Sequence, residues 1–438
     1  MHLSRVEIKN FRNFKHLNLT LGPNAVIIGP NRVGKSNLLH ALRLVLDPTL
    51  PDSARYLRAE DFSDGLQQAF QGEIISVALE FSDFDNDTEA KALLQDALVQ
   101  MNPSSVARVT YEFHPKQNIV ANPAKPEDYN FIIFPGTLRQ RGVSQDFRRY
   151  INVFLLPALR DVENDLQSWR RSPLRPLLER LRLNDQNVQT ILEGLNKATG
   201  TLLDEDGFKG LSAEMTRRLE EMVGTAQSTD TRLGFASTKA EHILRTVRLF
   251  VDGDKSRPLN DASLGTANIL YLVLLLQDLQ ERQDNKDTVV TTLAIEEPEA
   301  HLHPHVQRLV FRYFLNQRTP IIVSTHSAHI ASVTPLDAIV MLKANPTEGT
   351  QAYTIHRLGL TAADKDDLQR YLDVTRAEIL FARGVILVEG IAEQFLIPAF
   401  AKLMGINLDR LGVTASRHCI AYTRMLKTTD SASLTKQH

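Results

Sequence analysis

The sequence predicts an α/β protein, a P-loop ATPase with an inserted helical arm and a further βα segment towards its C-terminal end. Three observations carry this. The apolar run Ala25-Val26-Ile27-Ile28 enters Gly29-Pro30-Asn31-Arg32-Val33-Gly34-Lys35-Ser36, a G-x-x-x-x-G-K-[ST] motif without a mismatch. A second apolar run, Leu293-Ala294-Ile295, ends in the paired acids Glu296-Glu297. Finally, 260 positions separate Ser36 from Glu296. That is too many for one compact nucleotide-binding unit, so the ATPase is read as split.

Elements can be justified in order. Leu3-Ser4-Arg5-Val6-Glu7-Ile8 and His16-Leu17-Asn18-Leu19-Thr20-Leu21 alternate apolar and polar residues around an Asn10-Phe11-Arg12-Asn13-Phe14 turn, as half-buried strands do. Residues 25–28 are continuously apolar and suit a strand buried on both faces. Leu38, Leu39, Leu42, Val45 and Leu46 then recur at helical spacing. Strand patterns follow at 74–81, 106–113 and 131–134. Residues 139–224 read as helical, with Met215, Leu219, Met222 and Val223 on one stripe. Beyond them lie a strand at 243–251, an apolar helix at 264–279, and buried strands at 289–295, 320–324 and 336–342. Thr375-Arg376-Ala377-Glu378 has capping-box spacing before the apolar strand 385–388. The expected domains are 1–137 (first ATPase part), 138–240 (helical insert), 241–345 (second ATPase part), 346–383 (linker) and 384–438.

Composition narrows the function classes. The chain has 438 residues, 43% hydrophobic and 23% charged, as globular proteins do. One cysteine, Cys419, excludes an internal disulfide and a Cys-rich zinc site and fits a reducing cytoplasm. The N-terminus shows no apolar secretory core. The longest apolar run, eight residues from Ile269 to Leu276, falls short of the ~20 a membrane helix needs. A net charge of −2 means that any DNA-binding surface must be a local patch.

The chemistry follows from the motifs. Gly29 and Gly34 let backbone N–H groups curl around phosphates, with Pro30, Asn31, Arg32 and Val33 completing the loop and the helix N-terminus adding positive charge. Lys35 reaches the β- and γ-phosphates of ATP, and Ser36 ligates Mg²⁺. Of the two downstream acids, Glu296 holds the Mg²⁺ shell and Glu297 polarises the attacking water. His301, His303, His305, His326 and His329 invite a zinc reading, but Pro298 and Pro304 bracket a turn in which His301 and His303 diverge. They are read as turn structure.

These residues also carry a resemblance. Val6-Glu7-Ile8-Lys9-Asn10-Phe11-Arg12-Asn13-Phe14, followed by the P-loop, resembles the head of the SMC/RecF branch of ABC ATPases. Glu296-Glu297-Pro298-Glu299-Ala300-His301-Leu302-His303-Pro304 is similar to the Walker B and D-loop of the overcoming-lysogenization-defect (OLD) nucleases. Ser324-Thr325-His326-Ser327 matches the family's switch histidine, which implies that His326 senses the γ-phosphate. Ser263-Leu264-Gly265-Thr266 stands where an ABC signature begins, although Leu-Ser-Gly-Gly-Gln itself is absent. Ser263 and Gly265 would thus complete a partner's ATP site in a homodimer.

Gly384-Val385-Ile386-Leu387-Val388-Glu389-Gly390-Ile391-Ala392-Glu393 resembles the first strand and turn of a Toprim domain. The resemblance implies that Glu389 binds catalytic Mg²⁺ or Mn²⁺ and that Glu393 is the additional acid of OLD-type domains. It also implies DNA as substrate. After Glu393 the only acids are Asp409 and Asp430, no Asp-x-Asp occurs, and 414–438 is polar without a strand or helix period. The nuclease site is therefore expected to be incomplete and the chain a weak nuclease. The alternative is a RecF/SMC-like DNA-binding ATPase clamp that cuts nothing. Residues 138–182 hold ten arginines, no lysines and five acids, with Phe147, Tyr150, Phe154 and Trp169 interleaved. They read first as a solvated helical face and second as a DNA-contacting arm. Pro157-Ala158-Leu159-Arg160-Asp161 looks like a recurrent OLD segment, which would bring Arg160 to nucleotide or switch.

Overall fold

Alternation builds the first hairpin: β1 (His2–Phe11) and β2 (Phe14–Thr20) pair antiparallel, with Val6, Ile8, Leu17 and Leu19 buried. The computed structural model describes residues 1–64, 66, 71–101, 103–117, 123, 125–158, 161–181, 184–223, 233, 244–251, 257–355, 360–372 and 377–417. These fall into two compact units, Met1–Arg160 with Leu279–His438, and Asp161–Asp278.

The first unit holds a twelve-stranded mixed sheet. Its strands are β1, β2, β3 (Asn24–Ile28), β4 (Ile75–Ser82), β5 (Leu98–Gln100), β6 (Val106–Pro115), β7 (Tyr129–Pro135) and β8 (Ile151–Leu156). Among the described residues, the strands of the second unit are the short pair β9 (Phe250–Val251) and β10 (Arg257–Pro258). The large sheet then resumes with β11 (Val290–Glu296), β12 (Ile321–Ser324), β13 (Ile339–Asn345) and β14 (Gly349–Thr354). Its order is β5-β6-β4-β1-β2-β14-β13-β3-β12-β11-β8, with β7 also on β6. From β13 to β8 the pairing is parallel. The other half is an antiparallel wing, and β14 meets β2 through one pair, Gly349 opposite Phe14.

The helix Lys35–Leu46 buries Leu38, Leu39, Ala41, Leu42, Leu44, Val45 and Leu46, which together cover most of its circumference. It touches β8 on the parallel side and β4 and β6 in the wing, so the sheet curls about it. Each fully buried leucine there contributes about 1.5–3 kcal/mol. A smaller parallel pair, β15 (Gly384–Val388) and β16 (Val413–Arg417), encloses the helix Ile391–Leu403 in a βαβ unit.

Three expectations are corrected. Residues 139–224 are not uniformly helical, because Ile151-Asn152-Val153-Phe154-Leu155-Leu156 forms the edge strand β8 beside β11. Six residues rich in β-branched and aromatic side chains, closed by Pro157, are too short for a buried helix. The second compact unit runs from Asp161 to Asp278, against the 138–240 expected for the insert. The strand expected at 243–251 shrinks to Phe250–Val251, and Leu244 to Thr246 are helical. Residues 414–417, expected to lack a strand period, belong to the strand Val413–Arg417, which pairs with β15 and buries the small residues Ala415 and Ser416, and 418–438 lie outside the described residues. Polar composition hides the strand. The cap at Thr375-Arg376 lies outside the described residues, and a short 3₁₀ helix, Ala377–Phe381, precedes β15.

His40, on the first helix, stacks on Phe11 at 6.1 Å. Burial, helped by Arg12 and Arg43, pushes its imidazole down to about 4. The unfolded chain takes up that proton near 6.5, so its protonation penalises the fold as pH falls from there towards 4. Thermal melts should show stability dropping over this interval, and His40→Phe should flatten that limb. An unchanged slope would mean another group is responsible.

Candidate nucleotide and metal site

At the carboxyl end of β3 the chain turns sharply and enters the helix Lys35–Leu46 through Gly34, whose φ is 104°. A Cβ there would lie 2.1 Å from Asn13 Nδ2, so only glycine fits. The loop is held from behind. Asn13 Nδ2 and the Thr350 hydroxyl both donate to the Val33 carbonyl, at 2.8 and 2.9 Å. Asn13 Oδ1 accepts from Asn37 Nδ2 (2.6 Å), Asn37 Oδ1 from Arg12 Nη1 (2.8 Å), and Arg12 Nε donates to Asp61 (2.9 Å). Asn13, Asn37 and Thr350 escape sequence reasoning, because nothing in their spacing joins three distant segments.

Lys35 is buried, and its ammonium donates to the loop's own carbonyls, Gly29 at 2.8 Å and Pro30 at 3.0 Å. Burial lowers it to about 8, against the pull of Glu297 and Glu299. Ser36 beside it is exposed, as are Asn31 and Arg32, the latter at φ 63°.

The structure brings Glu296, Glu297 and His326 to this same end of the sheet. Because β12 lies between β3 and β11 in parallel, three strand ends converge, the usual ligand position in such sheets. Glu296 Oε2 lies 3.5 Å from the Ala158 N–H. Glu297 sits at φ 44°, a left-handed conformation disfavoured for a side-chain-bearing residue. Its N–H donates to the Ser324 carbonyl at 2.9 Å. His326 Nε2 lies 3.7 Å from Glu297 Oε1. Burial, and then the charge of Lys35, hold the imidazole below its ordinary value. Glu299 is a further site residue, one to which no motif assigns a role. Its Oε1 accepts from the Thr325 hydroxyl and the His326 N–H, both at 2.8 Å. Burial raises its carboxyl.

Ser36, Glu296 and Glu297 offer hard oxygen ligands, and these fit Mg²⁺, which takes one or two protein oxygens with phosphates and water. Among the described residues no group of three His, Cys, Asp or Glu converges on a common point. Arg308 instead donates to His305 and His329, at 3.2 and 3.3 Å, and His303 caps the helix Pro304–Leu315. In the second unit, Ser263 Oγ accepts from the Thr266 N–H at 3.2 Å, so Ser263 and Gly265 stand at the start of the helix Leu264–Asp284.

Glu389 follows β15 directly, and Glu393 lies in the first turn of the helix Ile391–Leu403; both are exposed. Gly390 separates them, and a Cβ there would come within 2.6 Å of Glu393 Oε2. In the arginine-rich run, Arg139, Arg141, Arg171, Arg175 and Arg180 each sit beside an acid, and Arg148 is buried. Arg160 lies outside the described residues.

A glycine-cradled lysine facing paired acids and a strand-end histidine defines a P-loop ATPase, here interrupted by a second unit and followed by a βαβ segment bearing two acids. The chain belongs to the family described as AAA domain, putative AbiEii toxin, Type IV TA system, which matches residues 25–332, and residues 380–426 match the overcoming lysogenization defect protein-like TOPRIM domain. It is thus an OLD-type ATPase–Toprim protein. The OLD nuclease of Thermus scotoductus is 24% identical over 90% of this chain and 72% of its own length. Endonuclease GajA of Bacillus cereus is 24% identical over 90% of this chain and 67% of its own. The SMC head domain from Thermotoga maritima is 13% identical, covering 81% of this chain and 99% of that one, with a TM-score of 0.37. No helix among the described residues is long and apolar enough to cross a membrane.

Gly34→Ala should displace Asn13 and release the Val33 carbonyl. Fluorescent-nucleotide titration should find binding at least about tenfold weaker, the effect of losing one buried hydrogen bond. Unaltered affinity would show that this buttress does not shape the loop.

Proposed function

We propose that this chain binds and hydrolyses ATP as an OLD-type protein and uses it to govern DNA cleavage at the Toprim segment. The observation that carries the reading is the convergence of buried Lys35, Glu297 and His326 on one end of the parallel strands. The 29–36 loop grips phosphates, Lys35 turns from its own carbonyls towards them, and Glu297 takes the proton of the attacking water. His326, held neutral by burial and by Lys35, donates to the γ-phosphate. Mg²⁺ held by Ser36 and Glu296 would neutralise the developing charge on the phosphates. Ser263 and Gly265, at a helix start, suit a phosphate of the partner subunit's nucleotide in an ATP-bound homodimer. DNA as substrate is supported by the nuclease relatives and the TOPRIM match.

Lys35→Ala should abolish ATP binding. Glu297→Gln should keep binding, stop hydrolysis and, with ATP, run as a dimer in light scattering. Normal turnover in Lys35→Ala would overturn the assignment, and a monomer in Glu297→Gln would remove the dimer from it.

Glu389 and Glu393 supply part of a two-metal nuclease site. Two carboxylates with water hold a hard cation weakly, so plasmid nicking with Mg²⁺ or Mn²⁺ should be slow and should disappear in Glu389→Ala. The second reading is an ATPase clamp that binds DNA without cutting it. Nicking that survives in Glu389→Ala would remove that residue from the chemistry, and complete absence of nicking would favour the clamp.

A further inference from the structure

Glu299 stands two residues beyond the proposed base and contacts the switch rather than the loop it belongs to. One carboxyl oxygen receives both the Thr325 hydroxyl and the His326 N–H at 2.8 Å. Thr325 is fully buried, and its own N–H is spent on the Ile27 carbonyl at 3.1 Å, so the switch is tied to the end of β3 as well. The other oxygen of Glu299 is buried and has no hydrogen-bond partner outside its own residue. Such an orphan is unfavourable wherever it occurs, and a structure keeps one where another state of the protein supplies its partner. Lys35, bonded here to the Gly29 and Pro30 carbonyls, is a cation within the electrostatic reach of Glu299 and a candidate for that partner.

We propose that Glu299 is the positioning residue of the nucleotide switch: one oxygen fixes the His326 backbone, and the other accepts a hydrogen bond formed only when ATP is bound. The consequence is discrimination between ATP and ADP, because only ATP presents the γ-phosphate that a fixed His326 can meet. This rests on the ATP site proposed above. Glu299→Ala removes both functions. Glu299→Gln keeps an amide oxygen for Thr325 and His326 but puts an N–H₂ donor where the second oxygen was.

The experiment measures affinities for ADP and a non-hydrolysable ATP analogue, together with kcat and KM, in the full chain, with thermal melts as a control on folding. Glu299→Ala should keep ADP affinity within about twofold and weaken the ATP analogue about 10–100-fold, as loss of a hydrogen bond to a charged group does. Its ATP-to-ADP ratio should match that of His326→Ala. Glu299→Gln, which loses only the bond formed with ATP, should lower the ratio about tenfold, less than Glu299→Ala does, and should lose about tenfold in kcat. If Glu299→Ala keeps both the wild-type ratio and kcat, the proposal fails. Wild-type kcat in Glu299→Gln overturns the acceptor role of the second oxygen. Lys35→Ala, run alongside, separates the two layers: if it still binds ATP, the nucleotide site itself is misassigned.

Discussion

A phosphate loop must leave its amide groups unpaired on one side, so whatever rigidity it has must come from the other. Here that support is the Val33 carbonyl, which receives hydrogen bonds from Asn13 and Thr350. Through Asn37 and Arg12 the same support reaches Asp61. Polar groups buried in such a chain strengthen one another, and a partly satisfied chain would cost more than none. The turn after β1, the start of β14 and the first helix therefore have to arrive together before the loop has a shape. Much of the sheet order can be understood as the arrangement that lets them do so.

The opposite wall obeys a different rule. Glu297 adopts a left-handed backbone, and Glu299 keeps one buried oxygen without a partner outside its own residue. Local strain of this kind persists where the surroundings over-determine it, and it gathers at sites that change state. Both residues belong to the turn that follows β11, and both are held through the segment after β12, Glu297 at Ser324 and Glu299 at Thr325 and His326. The turn after β11 and the segment after β12 are thus tied together by these bonds.

What the sequence disclosed follows from the range of each signal. The P-loop, the acids after Leu293-Ala294-Ile295 and the switch histidine are contiguous motifs, and each stands at the strand end where periodicity puts it. β8 was hidden because its six residues lie inside an arginine-rich stretch with helical neighbours, and strand pairing with β11, 139 positions away, is not a local property. β16 was hidden by its polar composition: its two buried residues, Ala415 and Ser416, are small and adjacent, one on each face, and leave no apolar alternation to read. Asn13 and Glu299 act through partners far off or across a turn. Residue type marked them as polar, but only the fold supplies what they hold.

The junction between the halves of the great sheet carries a mechanical implication. Where β14 meets β2, the ladder is reduced to Gly349 opposite Phe14. Gly349 adopts φ 74°, and a Cβ on it would lie 2.7 Å from the Asn13 carbonyl. A seam with so few backbone bonds resists torque weakly, so most of its stiffness is borrowed from Asn13 and Thr350, whose side chains also brace the phosphate loop. Twisting the antiparallel wing would therefore load that loop directly, and a tightened loop would stiffen the wing in return.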